Sequence, residues 1–136
     1  MKREAELKSR FGQELRRQLP GFLILSYATN GAPDREIVGN NISSRWECKH
    51  ATPDFQSPGD QELLCCRLAA AAHCRYVIWW ERGAVQKTLI AHPLAVMRRT
   101  NWDLEVEAQC EGFDMRWLVE YVGRTHGIPN KTVGCK

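Results

Sequence analysis

The chain predicts an α/β fold with a mixed central sheet flanked by helices, and three observations predict it. A stretch with apolar residues at helical spacing opens the chain. Short β-rich runs then alternate with a second helical stretch. One pair of those runs, "REIV" and "ISSRWECK", is joined by "GNN", whose residues tolerate positive φ and so mark a hairpin. A single domain is expected from 136 residues, a length that supports a sizeable core.

Residues 2–19 read as an amphipathic helix, with Leu7, Phe11, Leu15 and Leu19 on one stripe and Pro20-Gly21 ending it. "FLILSYA", residues 22–28, reads as a short buried strand, and "TNGAP" as a loop before the hairpin. After the polar connection "HATPDFQSPGD", Ser57 is the expected N-cap and Pro58 the first helical residue, of a helix running from about Asp60 to His73. "CRYVIWWERG" reads as a strand closing on Gly83, "VQKTLIAH" as another, and "WDLEVEAQ" as an edge strand. "DMRWLVEYVGRTHG" is a second amphipathic helix, with Met115, Leu118, Val119 and Val122 on one side and Gly127 at its close. The last nine residues are expected to fray. The element order is α-β-β-β-α-β with a C-terminal β/α extension.

Apolar residues make up 43% and charged residues 26% of the chain, the proportions of an ordinary globular protein. No apolar run approaches the roughly 20 residues of a membrane span, and "MKREAELKSR" is too polar for a secretory signal, so a cytoplasmic protein is expected. The six cysteines form no CxxC pair and read as reduced thiols acting as small hydrophobes. The net charge of +3 is concentrated in the first segment (Lys2, Arg3, Lys8, Arg10, Arg16, Arg17), with a second pair at Arg98 and Arg99. Such loading suits either a solvated helix face or a phosphate-facing surface.

Strand alternation puts Glu47 and Lys49 on one face and Trp46 and Cys48 on the other. Antiparallel pairing lets Asp34, at the start of the preceding strand, approach Glu47. Two close carboxylates repel unless a cation neutralises them, and Mg²⁺ takes such hard oxygen ligands together with water and phosphate oxygens. A lysine beside the ion can orient a water and offset phosphate charge, a set suited to phosphodiester hydrolysis. The rival to this reading is an exposed strand face bearing an ordinary ion pair. Ser44 and Arg45 are read as sheet surface, and His50 as a structural or DNA-flanking residue on the face opposite Lys49. Trp79, Trp80, Trp102 and Trp117 are read as core or interface.

"GAPD", ending at Asp34, followed after twelve residues by Glu47-Cys48-Lys49, resembles the PD-(D/E)xK nuclease signature, shared by restriction endonucleases, Holliday-junction resolvases and small VRR-type nucleases. The leading helix with its glutamates and Gln61, twelve residues past Lys49, extend the likeness over roughly residues 2–82. The resemblance implies a restriction-endonuclease-like fold. In it Asp34 and Glu47 are metal ligands, the Cys48 carbonyl completes the protein's share, and Lys49 acts on the attacking water. It also implies a leading-helix glutamate. Glu4, Glu6 and Glu14 compete for that place, and Glu4 is chosen because it shares the inward face of Leu7 and Phe11. Gln61 binds a phosphate or orients Lys49, or is an ordinary polar first-turn residue, and Glu36 is one alternation from Asp34. The strand "SSRWECK" departs from the family in being more polar than its usual counterpart.

The function expected is therefore a Mg²⁺-dependent endonuclease, with Mn²⁺ as substitute, cutting branched or junction DNA as a symmetric homodimer. Arg16, Arg17, Lys8, Arg35 and Gln61 are the expected DNA contacts. The alternative is a non-catalytic α/β module that binds DNA or protein through the same surface.

Overall fold

A computed structural model describes residues 2–26, 35–51, 59–99 and 104–129; for Lys2, Ala51, Gly59, Asp60 and Gln61 the backbone alone is described. Its elements run α1 (Lys2–Gln18), β1 (Leu23–Ser26), β2 (Arg35–Gly39), β3 (Ile42–Ala51), α2 (Gly59–Ala71), β4 (His73–Arg82), β5 (Val85–Ala91), α3 (Pro93–Arg98), β6 (Ala108–Glu111) and α4 (Met115–Thr125). The six strands form one sheet in chain order. Four of the five pairings are antiparallel; β3 and β4, joined through α2, are parallel. The α/β architecture with a mixed, helix-flanked sheet is thus as the sequence predicts.

Helices cover both faces, and the pattern of alternation decides which residues go where. Trp46 and Cys48 of β3, with Val77 and Trp79 of β4, point to one face and pack with Leu7, Phe11 and Leu15 of α1 and Leu118, Val119 and Val122 of α4. Tyr76 and Ile78 point to the other face, against Cys65 of α2 and Val96 of α3. Burying two such layers is the main driving force for this arrangement.

The β2–β3 hairpin turns on Asn40 (φ 55°) and Asn41 (φ 64°), a pair of left-handed residues that matches the twist of the strands. Gly39 has a different reason to be glycine. A Cβ there would lie 2.4 Å from the Phe22 ring, so a side chain would drive β1's leading aromatic off the sheet.

Four expectations need correction. "FLILSYA" is not a buried strand: among the described residues β1 is the outermost strand of the sheet, and Leu23 is 56% exposed. The edge strand expected over "WDLEVEAQ" lies later, at Ala108–Glu111. Leu104 and Val106 instead pack beside the α2/α3 core, and pairing to β5 begins only at Ala108↔Ile90. Helix α3 was not expected; His92 accepts from the Leu94 N–H at its start and Pro93 occupies its first turn. Ser44 is not sheet surface but fully buried. It meets His126, just past α4, because even-numbered positions of this strand face the α1/α4 core. The expected Ser57 cap and Pro58 lie outside the described residues.

Candidate active site

β3 lies between β2 and β4, in the middle of the sheet, so its polar composition does not place it at the surface. Glu47 is 2% exposed. The Lys49 side chain is 13% exposed, and its Nζ is 3.7 Å from Glu47 Oε2. Both project to the α2 face, opposite Tyr76 and Ile78 of the parallel neighbour. The ion pair expected of a plain exposed strand is therefore present, with its carboxylate buried and its lysine partly buried. Withdrawing two charges from water costs several kcal/mol per ion, which attraction between them only partly offsets.

The face that carries the pair is otherwise largely apolar. Cys65 and Cys74 are buried on the same face. The hydrogen bond to Cys65, then burial, push the Cys74 thiol well above the usual range, so it stays protonated, consistent with cysteines acting as small hydrophobes. All five described cysteines are free thiols.

Glu36 lies across from Arg45 in the β2–β3 register, accepts from Ser43 Oγ at 2.6 Å and is 3.6 Å from Arg45 Nη2. On the opposite face, His50 follows Lys49 and its Nε2 is 2.6 Å from Glu81 Oε1. The His50 hydrogen bond, then one from Gln86, hold the Glu81 carboxyl below the ordinary carboxylate range.

Other sequence candidates fall out unevenly. Asp34 lies outside the described residues, immediately before Arg35 at the start of β2. Gln61 is the third residue of α2, which follows β3, but its side chain is not described. Glu4 is on α1, which packs on the Trp46 side of the sheet rather than the Glu47 side, and its carboxylate is 3.6 Å from Lys8 Nζ. Glu6 pairs with Arg10, and Glu14 with Arg17 and Gln18.

Among the expected DNA contacts, Arg35 has an internal part to play. Its guanidinium donates to the Lys8 carbonyl at 2.8 Å and to Ser26 Oγ, tying β1 and β2 to α1 across Gly12. Arg17 Nε donates to Glu14 at 3.1 Å. In the second basic pair, Arg99 binds Glu62 at 3.0 Å and joins α3 to α2, whereas Arg98 stays exposed, 3.9 Å from Glu105. Sequence reading missed the buried cluster of Ser44, Trp46 and His126: strand alternation puts Ser44 on the face of Trp46, but nothing local brings in His126.

Among the described residues no group of three His, Cys, Asp or Glu side chains is placed to hold a metal ion. The donors described at the site are the Glu47 carboxylate and the Cys48 carbonyl, hard oxygens of the kind Mg²⁺ takes.

No known family model matches the chain, and no curated protein matches it. Among solved structures it is similar to Hjc, a Holliday junction resolvase from the archaeal hyperthermophile Archaeoglobus fulgidus, at 16% identity and a TM-score of 0.48, over 89% of this chain and 96% of that one. No helix among the described residues is long and apolar enough to cross a membrane.

Proposed function

We propose that the protein is a Mg²⁺-dependent endonuclease that hydrolyses DNA phosphodiester bonds, with branched or junction DNA preferred and a homodimer as the working form. One observation supports it above the others: a buried Glu47 and a partly buried Lys49 lie 3.7 Å apart on a central strand, where an apolar pair would cost less. Charges kept in such a place at an energetic cost point to chemistry rather than to stability.

In this reading Asp34, Glu47 and the Cys48 carbonyl hold the ion, with Mn²⁺ as substitute. When bound, Mg²⁺ supplies charge neutralisation and a water that ionises more readily. Lys49 orients that water and faces the charge that develops on the phosphate oxygens. Its amine is partly withdrawn from solvent, where its field is screened less than at the open surface. Gln61, in the first turn of α2, contacts the scissile phosphate or steadies Lys49. Glu4 is the weakest member of the set, because α1 packs on the opposite face.

Cleavage of a labelled four-way junction and nicking of supercoiled plasmid, each with Mg²⁺, test the proposal. Asp34→Asn should abolish cutting while leaving DNA binding in EDTA close to that of the parent. A parent protein that binds DNA and never cuts it would favour the non-catalytic module. Asp34→Asn cutting at the parent rate would remove Asp34 from the site.

A further inference from the structure

β3 and β4 run in parallel from Ser44 and His73 to Ala51 and Trp80, so the end of the sheet beyond Lys49 is where β4 carries Trp79 and Trp80. His50 lies opposite Trp79, one step past the Lys49↔Ile78 pair, and Ala51 opposite Trp80. Being consecutive, the two tryptophans face opposite sides of the sheet. Each carries a cation. The Arg3 guanidinium of α1 is 5.0 Å from the Trp79 ring centroid, and Lys87 Nζ, directly across β5 from Trp80, is 5.6 Å from that ring. A second arginine of α1, Arg10, lies 5.0 Å over Phe113, which itself stacks on Trp79 at 4.1 Å.

We propose that Arg3 and Lys87 are phosphate contacts that seat the DNA backbone across this end of the sheet, one cation on each face, flanking Lys49. The inference rests on the nuclease reading for what Lys49 does, but not for DNA binding itself. A cation over an aromatic face is held in place without losing its charge, and an arginine stacked this way keeps its N–H edge outward for a phosphate. The Arg3 side chain is 51% exposed. Its carboxylate neighbour, Glu81, is 3.5 Å away and already accepts from His50 at 2.6 Å and Gln86 at 2.7 Å. Glu81 is therefore satisfied without Arg3, which is able to turn to a phosphate. By contrast Arg35, an expected DNA contact, is committed to α1.

The test is the salt dependence of binding to a fluorescently labelled four-way junction in EDTA, measured by anisotropy across a range of KCl. Each phosphate contact adds about 0.9 to the slope of log affinity against log salt. The Arg3→Gln/Lys87→Gln double variant should lose about tenfold or more in affinity at low salt, and its slope should fall by about 2. Lys87→Arg alone should keep the parent slope. An Arg98→Gln/Arg116→Gln variant removes the same charge elsewhere and should change the slope far less. A double variant with the parent's slope, or a control that flattens it equally, overturns the proposal, as does a parent that binds no DNA. A parent that binds as expected but never cuts with Mg²⁺ overturns the nuclease reading and leaves the contacts standing.

Discussion

A carboxylate that is 2% exposed beside a lysine is a strong commitment for one strand to make. Removing the Lys49 cation strands the buried Glu47 charge and should destabilise the fold by about 3–5 kcal/mol. Lys49→Ala would therefore confound chemistry with folding. Lys49→Arg is the cleaner variant, because it keeps a cation near Glu47. Its guanidinium stays charged and delocalised, and does not replace a compact amine at a water. We expect near-parent stability in urea and single-turnover junction cleavage lower by about a hundredfold or more. Cleavage within a few-fold of the parent would show that Lys49 serves only as the counter-charge of Glu47.

Between elements, the most informative contact is the one the strand pattern did not advertise. Just past α4, His126 is 1% exposed and uses both ring nitrogens. Nδ1 lies 2.9 Å from the Gly39 carbonyl, which can only accept, so Nδ1 carries the proton. Nε2 then accepts from Ser44 Oγ at 2.7 Å, and Ser44 in turn accepts from Trp46 Nε1 at 2.8 Å. The Asn40 side chain adds a bond to the His126 carbonyl at 3.0 Å. Together these fasten the C-terminal helix to the hairpin that carries Glu47 and Lys49. Ser44→Ala leaves a buried donor and a buried acceptor unsatisfied and should cost about 1–3 kcal/mol, read as a lower urea midpoint with unchanged slope. A loss below about 0.5 kcal/mol would mean that the cluster relaxes or admits water. The hairpin turn was legible from Asn40 and Asn41, whose types tolerate the positive φ they adopt. The latch was not, because its two halves are 82 residues apart.

Across the whole molecule, acid should weaken the fold in two stages. His73, at the start of β4, has Nε2 buried without a hydrogen-bond partner among the described residues. Burial, then the nearby Arg75 charge, push its pKa from 6.5 down to about 4; His126 and His92 act in the same direction and Glu107 opposes them. The folded state thus prefers neutral His73. That contribution is complete above the unfolded value of 6.5 and is lost as pH falls toward about 4. Below that, carboxylates held low in the folded state become protonated. In Glu107, burial pushes upward but hydrogen bonds from Tyr121 and Arg75 prevail; Glu14 is lowered chiefly by Arg17, and Glu81 by His50. His73→Gln should flatten the first stage, seen as a smaller drop in urea midpoint between about 6.5 and about 4, and leave the second. An unchanged first stage would assign it to another group.

By itself the sequence determined the types and order of the elements as far as β5, the hairpin turn, and the pairing of Glu47 with Lys49 on one face. These depend on neighbours two to four residues apart, through helical and strand periods and the backbone tolerance of asparagine. Only the tertiary structure decided depth and partnership. "SSRWECK" reads as half-polar and surface-like, yet β2 and β4 enclose it, so Ser44 and Glu47 are buried. "FLILSYA" reads as interior, yet among the described residues its strand has a neighbour on one side alone. Arg35 and Arg99 read as free cations, yet one holds α1 and the other holds α2. The physical reason is common to all of these. Burial and charge pairing depend on which distant segments close over a residue, and that is set by the packing of two core layers rather than by any local pattern.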